Sequence, residues 1–217
     1  MTRKQRALLA VAALKEAYPE GICSLTYRDP LQLLIATRLS AQCTDARVNQ
    51  VTPALFARFP TLEAFCNATP EEVGKYIHSC GLYKTKARDI CAMCRMLRDV
   101  YGGVVPDTVE ELVKLPGVGR KTANLVVGDI YGKPAVVTDT HCIRICGRLG
   151  LSEGKNPLQV EKQLRAVLPE DESNAFCHRL VLHGRAVCTA RSPQCSVCCM
   201  RAFCKSYPLD QKEASAG

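Results

Sequence analysis

Proline and glycine residues recur along this chain and cut it into pieces of roughly 10–18 residues. Several pieces repeat apolar side chains at i, i+3 and i+4, which is the spacing of one face of an α-helix. The alternation typical of strands is nearly absent, and Ala135-Val136-Val137 is the only strand-like patch. The clearest helical pieces are Leu31–Leu39, Val51–Phe59, Ile90–Val100, Lys121–Tyr131 and Val160–Val167. The pattern predicts an all-α fold.

Composition narrows the class of protein further. With 217 residues, the chain has room for one large domain or two small ones. Hydrophobic residues make up 47% and charged residues 23%, which excludes disordered and fibrous classes. No apolar run approaches the roughly 18 residues of a membrane-spanning helix, so no membrane association is expected. The net charge of +8 favours a polyanionic partner such as nucleic acid.

The N-terminal stretch 2–14 has two interpretations. Basic residues followed by a short apolar run resemble a signal peptide, but charged residues follow at once and no small-residue cleavage site is present. Leu8, Val11, Leu14 and Tyr18 recur at helical spacing, which favours an amphipathic helix. We therefore expect a cytoplasmic protein whose cysteines stay reduced. Most of them should lie in helices as small buried hydrophobes.

The segment Leu115–Ala123, with the sequence LPGVGRKTA, lies between two helical stretches. Gly117 and Gly119 permit a tight turn whose backbone N–H groups converge. The helix that follows adds free N–H groups and the positive end of its dipole. Such a turn suits an anion, for example a phosphate of a nucleic-acid backbone. A plain corner between two helices would use the same glycines.

Lys121 and Asp139 are the candidate reacting groups. Lys121 falls in the first turn of a helix, where the dipole and Arg120 disfavour a positive charge and so favour a neutral, nucleophilic amine. A phosphate contact is the simpler role. Asp139, eighteen residues later, is either a helix N-cap or a carboxylate that exchanges a proton or stabilises positive charge on a sugar. His141 either orients a substrate or packs beneath Asp139.

Four cysteines near the C-terminus are separated by six, two and five residues. They are Cys188, Cys195, Cys198 and Cys204. Zinc ribbons normally place two close cysteine pairs on separate knuckles, whereas this run has a single C-x2-C. Iron–sulfur clusters take four thiolates from short runs, which favours one [4Fe–4S] cluster. Zinc and a metal-free loop are the alternatives, and Cys199 could replace Cys198.

The LPGVGRKTA hairpin, the TDTH segment around Asp139 and the C-x6-C-x2-C-x5-C run resemble the helix-hairpin-helix DNA glycosylases, and the endonuclease III family in particular. The likeness extends to residues 31–35, 39–42 and 81–83. It implies two helical domains flanking a DNA-binding cleft, with a helix-hairpin-helix motif and a C-terminal [4Fe–4S] cluster loop.

The same resemblance implies domain boundaries. Residues 22–133 would form a six-helix domain with the hairpin at about 109–132. Residues 1–21 together with 134–210 would form the iron–sulfur cluster domain. Residues 211–217 are expected to be a flexible tail.

By matching position, the resemblance implies that Lys121 is the nucleophile and Asp139 its carboxylate partner. Gln42 and Leu82 would fill the gap left by an extruded nucleotide. The four spaced cysteines would ligate one [4Fe–4S] cluster. The further expected DNA contacts are Pro116, Gly117, Val118, Gly119, Arg120 and His141.

The predicted function is that of a bifunctional DNA glycosylase and AP lyase of base excision repair. It would act as a monomer on double-stranded DNA with a damaged base or abasic site, removing oxidised pyrimidines through a lysine Schiff base and cleaving 3′ by β-elimination. One alternative is a monofunctional adenine or mismatch glycosylase of the same superfamily, although those relatives generally lack the lysine. Another is a non-catalytic iron–sulfur redox sensor that binds DNA, which has no use for Lys121 with Asp139.

The chain departs from the family pattern at several positions. Thr138 stands where an apolar residue is usual, and Cys43 where alanine is usual. Arg38 interrupts a stretch expected to be apolar. Ser192 and Gln194 occupy positions of the cluster loop where cations are common.

Overall fold

The structure, a computed structural model, describes residues 1–207. The predicted tail at 211–217 and the last three residues of the predicted cluster domain lie outside the described residues. Over the described range the chain forms helices joined by turns, with no strand. The predicted all-α class is confirmed.

The chain divides into two compact units. One unit comprises Cys23–Gly132. The other comprises Met1–Ile22 and the described residues from Lys133 onward.

The unit Cys23–Gly132 contains seven described α-helices. They are α2 (Pro30–Ser40), α3 (Asp45–Arg58), α4 (Leu62–Asn67), α5 (Pro70–Ile77), α6 (Tyr83–Tyr101), α7 (Val109–Leu112) and α8 (Arg120–Tyr131). The long helix α6 packs against α2, α4 and α5, and α2 also packs against α3 and α8. The central helices bury their apolar faces completely, including Leu33 and Ile35 of α2 and Ile90 and Met93 of α6.

Short polar side chains fix where these helices begin. Thr44, for example, caps α3 by accepting a hydrogen bond from the Arg47 amide at 3.2 Å. The helix therefore starts at Asp45, before the predicted apolar piece, and it continues through Pro53. The other side-chain caps in this unit are Asp29, Thr61, Thr69 and Thr108.

The second unit contains four described α-helices and two short 3-10 turns. They are α1 (Arg3–Ala17), α9 (Thr140–Leu149), α10 (Pro157–Arg165) and α11 (Ser173–Ala186), followed by turns at Cys195–Val197 and Arg201–Phe203. Helix α11 packs against α1 and α9. The strand-like patch at 135–137 is a buried extended segment whose amides bond to α11 rather than to a strand. Ala135 N donates to Ser173 Oγ at 3.2 Å, and Val137 N donates to Cys177 Sγ at 3.3 Å.

The predicted N-terminal helix forms, and Val11 and Leu14 of its predicted apolar face are buried, but Leu8 is not. Leu8 is 47% exposed, whereas Ala7, Ala10 and Leu14 are fully buried. Small alanines bring the helix backbone close to its neighbours, so the buried face follows these residues rather than Leu8. Within residues 1–207, no helix combines the length and hydropathy needed to cross a bilayer.

The expectation that the cysteines before Cys188 are buried in helices is only partly correct. Most are buried, but Cys23 and Cys43 are partly exposed. These two and the buried Cys80 lie in turns and loops rather than in helices. Turns that join closely packed helices are themselves buried in part, so burial of a thiol does not require a helical position.

Candidate active site and metal centre

The glycine hairpin joins α7 to α8 as predicted from its sequence. Leu115 and Val118 are buried and anchor the turn, and Val118 N donates to Leu115 O at 3.1 Å. Gly117 has φ +75°, a left-handed conformation that strains any residue with a Cβ. Gly119 then serves as the N-cap residue of α8.

Because Gly119 has no side chain, α8 begins without a side-chain cap. Its first N–H groups thus stay available to an external acceptor, and the helix dipole favours a negative one. Gly117, Gly119 and Arg120 are all exposed. The hairpin therefore offers an accessible site for a phosphate group.

Lys121 is the second residue of α8 and is exposed. Within the unit Cys23–Gly132, no hydrogen bond or ion pair holds its amine. An amine next to the free N–H groups of a helix start and open to solvent can reach a substrate bound at the hairpin.

Lys86, on α6, is a buried lysine whose amine has a lowered pKa. It is 0% exposed, and burial lowers the pKa of its amine. Its Nζ donates to the carbonyl oxygen of Leu39 at 2.8 Å. A perturbed pKa often marks a catalytic lysine, but a nucleophile has to reach its substrate. Geometry therefore favours Lys121 as the reacting amine.

Arg38, which departs from the family pattern, has a structural partner. Its Nη2 and Nε lie 2.6 Å and 2.9 Å from Oδ2 of Asp89 on α6. The pair lies directly against the hairpin, since a Cβ added at Gly117 would come within 2.5 Å of Arg38 Nε and 2.9 Å of Asp89 Cβ. The Arg38–Asp89 pair thus packs against the turn and supports it, and no sequence pattern indicated this contact.

Gln42 and Leu82 share an unusual backbone conformation. Among the described residues they are the two non-glycine positions with positive φ, at 54° and 59°. Both are exposed, Leu82 by 59%. Their turns are adjacent, because a Cβ added at Gly81 would lie 3.5 Å from the Gln42 carbonyl oxygen. Left-handed backbone costs about 1–2 kcal/mol per residue and is often retained at functional sites.

Asp139 begins α9 as its N-cap. Its Oδ1 accepts a hydrogen bond from the Cys142 amide at 2.7 Å. Asp139 is half-buried and Thr138 before it is buried. The cap uses one carboxylate oxygen, so the side chain can hold the helix start and still present a negative charge.

His141 lies in the first turn of α9 and packs against α11. A Cβ added at Gly184 would come within 2.3 Å of His141 Nδ1, so only glycine fits opposite the ring. Arg144 Nη2 lies 3.1 Å from the same nitrogen. These contacts place His141 against α11 and Arg144, whereas the sequence suggested packing beneath Asp139; the DNA contact of His141 stays a prediction.

The four spaced cysteines line one cavity of about 110 Å³ in the second unit. Cys188, Cys195, Cys198 and Cys204 all border it. Cys199 is exposed and does not. The structure thus brings the predicted ligand set together around one cavity, with Cys199 outside the lining but hydrogen-bonded to Cys198.

Three thiols at this cavity, those of Cys195, Cys198 and Cys204, have raised pKa values and so disfavour the negative charge that metal binding needs. Burial raises the pKa of Cys195 and of Cys204, and repulsion from the neighbouring thiolates adds to both. A hydrogen bond with Cys199 raises the pKa of Cys198 to about 12. A multivalent cation would relieve this repulsion, so the donor set fits a metal centre.

Arginines of α9 hold the cysteine loop, and sequence reasoning missed them. Arg148 Nη1 donates to Cys188 Sγ at 3.2 Å and to Thr189 O at 2.7 Å. Arg144 Nη2 donates to the Cys188 carbonyl at 2.9 Å. The four-residue spacing of these arginines places both on one helix face, which is the signal that could have indicated them.

His183 of α11 connects the cavity to the N-terminal helix. Its Nε2 lies 3.4 Å from Cys198 Sγ, and its Nδ1 lies 3.2 Å from the Tyr18 hydroxyl. His183 is buried, so these contacts orient Cys198 from inside the unit. Neither contact was indicated by the cysteine spacing.

Comparison with known proteins agrees with this arrangement. The family model for the HhH-GPD superfamily base excision DNA repair proteins matches residues 35–170. Endonuclease III of Synechocystis sp. is 45% identical over 206 residues, covering 94% of each chain. Endonuclease III of Escherichia coli K12 is 40% identical over 202 residues, covering 93% of this chain and 96% of that protein.

Solved structures give the same result. The structure of a trapped endonuclease III–DNA covalent intermediate matches with a TM-score of 0.90 and 43% identity, covering 95% of this chain and 98% of that chain. A non-covalent endonuclease III–DNA complex also has a TM-score of 0.90. A thermostable thymine-DNA glycosylase, 23% identical with a TM-score of 0.81, shares the fold.

The helical fold and the hairpin thus define a base excision DNA repair protein with a cysteine-rich C-terminal region. Within that class, the chain belongs to the endonuclease III family of the HhH-GPD superfamily. The predicted enzyme class, a DNA glycosylase with AP lyase activity, is confirmed. The adenine-glycosylase and redox-sensor alternatives are not favoured.

Proposed function

We propose that this chain excises oxidised pyrimidines from duplex DNA, with Lys121 as the nucleophile and Asp139 as its carboxylate partner. The observation that carries the proposal is the exposed Lys121 amine, unpaired within its own unit, beside the free amides of the Gly117–Gly119 hairpin. The enzyme would act as a monomer on DNA in the cytoplasm.

The hairpin would bind a backbone phosphate of the damaged strand. Phosphate contacts position a protein on DNA without reading the sequence, so this site sets the register of Lys121. Arg120, exposed at the start of α8, adds positive charge, and Arg38 with Asp89 keeps the turn in place. Pro116 and Val118 shape the turn.

Gln42 and Leu82 would enter the duplex where the damaged nucleotide leaves it. A base that reacts at its sugar has to leave the stack, at a cost of a few kcal/mol. Apolar and amide side chains inserted between base steps offset part of that cost. The exposed, adjacent turns that carry these two residues suit this role, and both are held in a conformation that few residues adopt.

The reaction would begin when the neutral amine of Lys121 attacks C1′ of the extruded nucleotide. Asp139 stabilises the positive charge that develops on the sugar and assists proton transfers. The base leaves, a Schiff base forms, and β-elimination then breaks the strand 3′ to the lesion. The related endonuclease III that has been trapped as a covalent intermediate with DNA supports this covalent route.

Cys188, Cys195, Cys198 and Cys204 would hold one [4Fe–4S] cluster. In a tetrahedral zinc site the sulfurs lie about 3.8 Å apart, because each is about 2.3 Å from one ion. Among the described residues, no three of these sulfurs form a group within 4.8 Å of one another. Four thiolates held farther apart than a single ion allows, from one short run of sequence, would suit an iron–sulfur cluster. When bound, the cluster crosslinks the loop that Arg148 and Arg144 support.

Borohydride trapping tests the proposal. The full-length protein is incubated with duplexes that each carry one defined lesion, and reduction converts a Schiff base into a stable adduct. We expect an adduct and 3′ cleavage with oxidised pyrimidines and with a preformed abasic site, and none with undamaged duplex. Base release without an adduct would contradict the lysine mechanism and favour a monofunctional glycosylase. Sedimentation of the same sample tests the monomer.

A further inference from the structure

The end of helix α2 leaves one carbonyl group for a side chain to satisfy. If the helix continued, the Cys43 amide would donate to the Leu39 carbonyl four residues earlier. It donates instead to Ser40 at 3.1 Å, and the chain turns through Gln42 with its positive φ. The Leu39 carbonyl therefore needs another donor.

Lys86 supplies that donor and also holds the second turn. Its side-chain Nζ donates to the Leu39 carbonyl at 2.8 Å, while its backbone N–H donates to the Leu82 carbonyl at 3.0 Å. Lys86 thus donates one hydrogen bond to the carbonyl of Leu39, three positions before Gln42, and another to the carbonyl of Leu82 itself. The two turns it joins carry the two non-glycine residues with positive φ in the described chain, and both are exposed.

We propose that Lys86 is a positioning residue that sets the spacing of Gln42 and Leu82 and so enables them to hold DNA open around an extruded nucleotide. This inference rests on the proposed role of those two residues in base extrusion. Lys86 itself touches neither substrate nor cluster, since its side chain is fully buried.

The surroundings of Lys86 explain why a lysine serves here. An ammonium group at the C-terminal end of α2 is favoured by the helix dipole and satisfies a carbonyl that no amide reaches. The thiols of Cys43 and Cys80 also lie near the Lys86 amine. They flank the two turns and hydrogen-bond to each other. Burial lowers the pKa of Lys86, and these thiols oppose that effect. A long, flexible stem lets the amine reach the carbonyl from inside the unit.

Three variants isolate this role. K86M keeps an unbranched stem but removes the donor, and K86R restores a cation that can donate to the carbonyl. K75M removes the same charge from an exposed lysine of α5 in the same unit and serves as the control. Circular dichroism establishes folding, and trapping on a preformed abasic site gives the active fraction of each protein.

The decisive measurement is the single-turnover rate of base release per active molecule. It is made on two duplexes, one with the lesion opposite its normal partner base and one with the same lesion opposite a mismatched base. A mismatch lowers the cost of extrusion, so it depends less on the inserted residues. We expect the ratio of paired to mismatched rates to fall at least tenfold in K86M, to recover within threefold in K86R and to stay within twofold in K75M. Removing either inserted side chain, by Q42A or by L82A, should lower the same ratio.

A residue that only stabilises the fold would reduce the active fraction and leave the ratio unchanged, and that result in K86M would overturn the proposal. Should K86M not fold, K86Q serves instead, because its side chain is uncharged and one atom shorter, so its amide stops short of the Leu39 carbonyl. A fall of fivefold or more in the same ratio then supports the positioning role, and an unchanged ratio contradicts it. Failure of the proposed function is a separate outcome, because wild-type protein would then release no damaged base from either duplex.

Discussion

Oδ1 of Asp139 accepts a hydrogen bond from the Cys142 amide at 2.7 Å and thereby begins helix α9. The same helix carries Arg144 and Arg148, which hold the loop of the proposed cluster through Cys188. Asp139 therefore combines a structural contact with its proposed catalytic role, and one substitution can separate the two.

Replacing Asp139 by asparagine retains an oxygen that accepts the cap hydrogen bond. The free energy of unfolding should change by less than about 1 kcal/mol. Loss of charge stabilisation and proton transfer should slow base release by about 10²–10⁴-fold. DNA affinity should be kept or rise, because one negative charge near phosphate is lost. Melting curves and single-turnover kinetics measure these effects.

Cleavage at a preformed abasic site provides the internal control for this substitution. That substrate has no base to expel, so the D139N rate should fall less. A large drop in melting temperature with near-normal base release would show that Asp139 is a cap alone.

Replacing Lys121 by alanine should abolish both the borohydride adduct and strand cleavage. Duplex binding should stay within about threefold, because the hairpin amides that hold the phosphate remain. Lys114, exposed before the hairpin and bonded to Glu111, is the matched control, and K114A should keep the adduct. An adduct formed by K121A at the normal rate would identify another amine as the nucleophile.

Serine substitutions at two adjacent cysteines test the ligand set. Purified protein should contain about four irons and absorb broadly near 400 nm, as expected of a [4Fe–4S] centre. C199S should leave iron content and absorbance unchanged because Cys199 does not line the cavity, whereas C198S should lower both. A colourless, zinc-loaded and fully active protein would exclude the cluster.

The two hairpin glycines should differ in their tolerance of a methyl group. G117A forces alanine into φ +75° and against Arg38 and Asp89, so it should cost about 2 kcal/mol or more in unfolding free energy. Gly119 has φ −92° and open space around the position of a Cβ, so G119A should cost less than about 1 kcal/mol in unfolding free energy. Urea unfolding measures both, and equal costs would contradict the support of the turn by the Arg38–Asp89 pair.

Glu172 should contribute stability that depends on pH. It pairs with Lys15 of α1 and with the buried Arg179, and these hydrogen bonds lower the pKa of the Glu172 carboxyl. A carboxyl group whose pKa is lower in the folded than in the unfolded protein stabilises the fold at pH values above its unfolded pKa of about 4.3. That stabilisation is lost as the pH falls through the pKa of the folded protein. E172Q should therefore cost about 1–3 kcal/mol at pH 7 and progressively less below about pH 4.3.

Urea unfolding of wild type and E172Q across pH 7 to 3.5 measures this difference. Comparison at each pH cancels effects common to both proteins. A difference that grows on acidification would have the wrong sign for a carboxylate stabilised by cations.

The local elements of this fold could be predicted from the sequence because their causes are local. Helical periodicity and the breakers between helices were sufficient for α2 and α8, but they indicated only the second half of α6, which begins at Tyr83. Thr108, a threonine just before the helix, caps α7 through its own side chain, which is likewise a local cause. The hairpin glycines likewise required a turn at one position. Leu8 of α1 shows the limit, since periodicity permits several faces and packing selects one.

The sequence alone determined the chemical types at the candidate site: an amine in the first turn of a helix, a carboxylate at the start of another, and four thiolates in a short run. Tertiary structure alone decided which residues support them. Arg38 meets Asp89 across 51 positions of sequence, and Lys86 reaches the Leu39 carbonyl across 47. Such contacts depend on how whole helices pack. The free energy that favours one packing arrangement comes from burying surfaces that are distant in sequence, so no local pattern could have indicated these contacts.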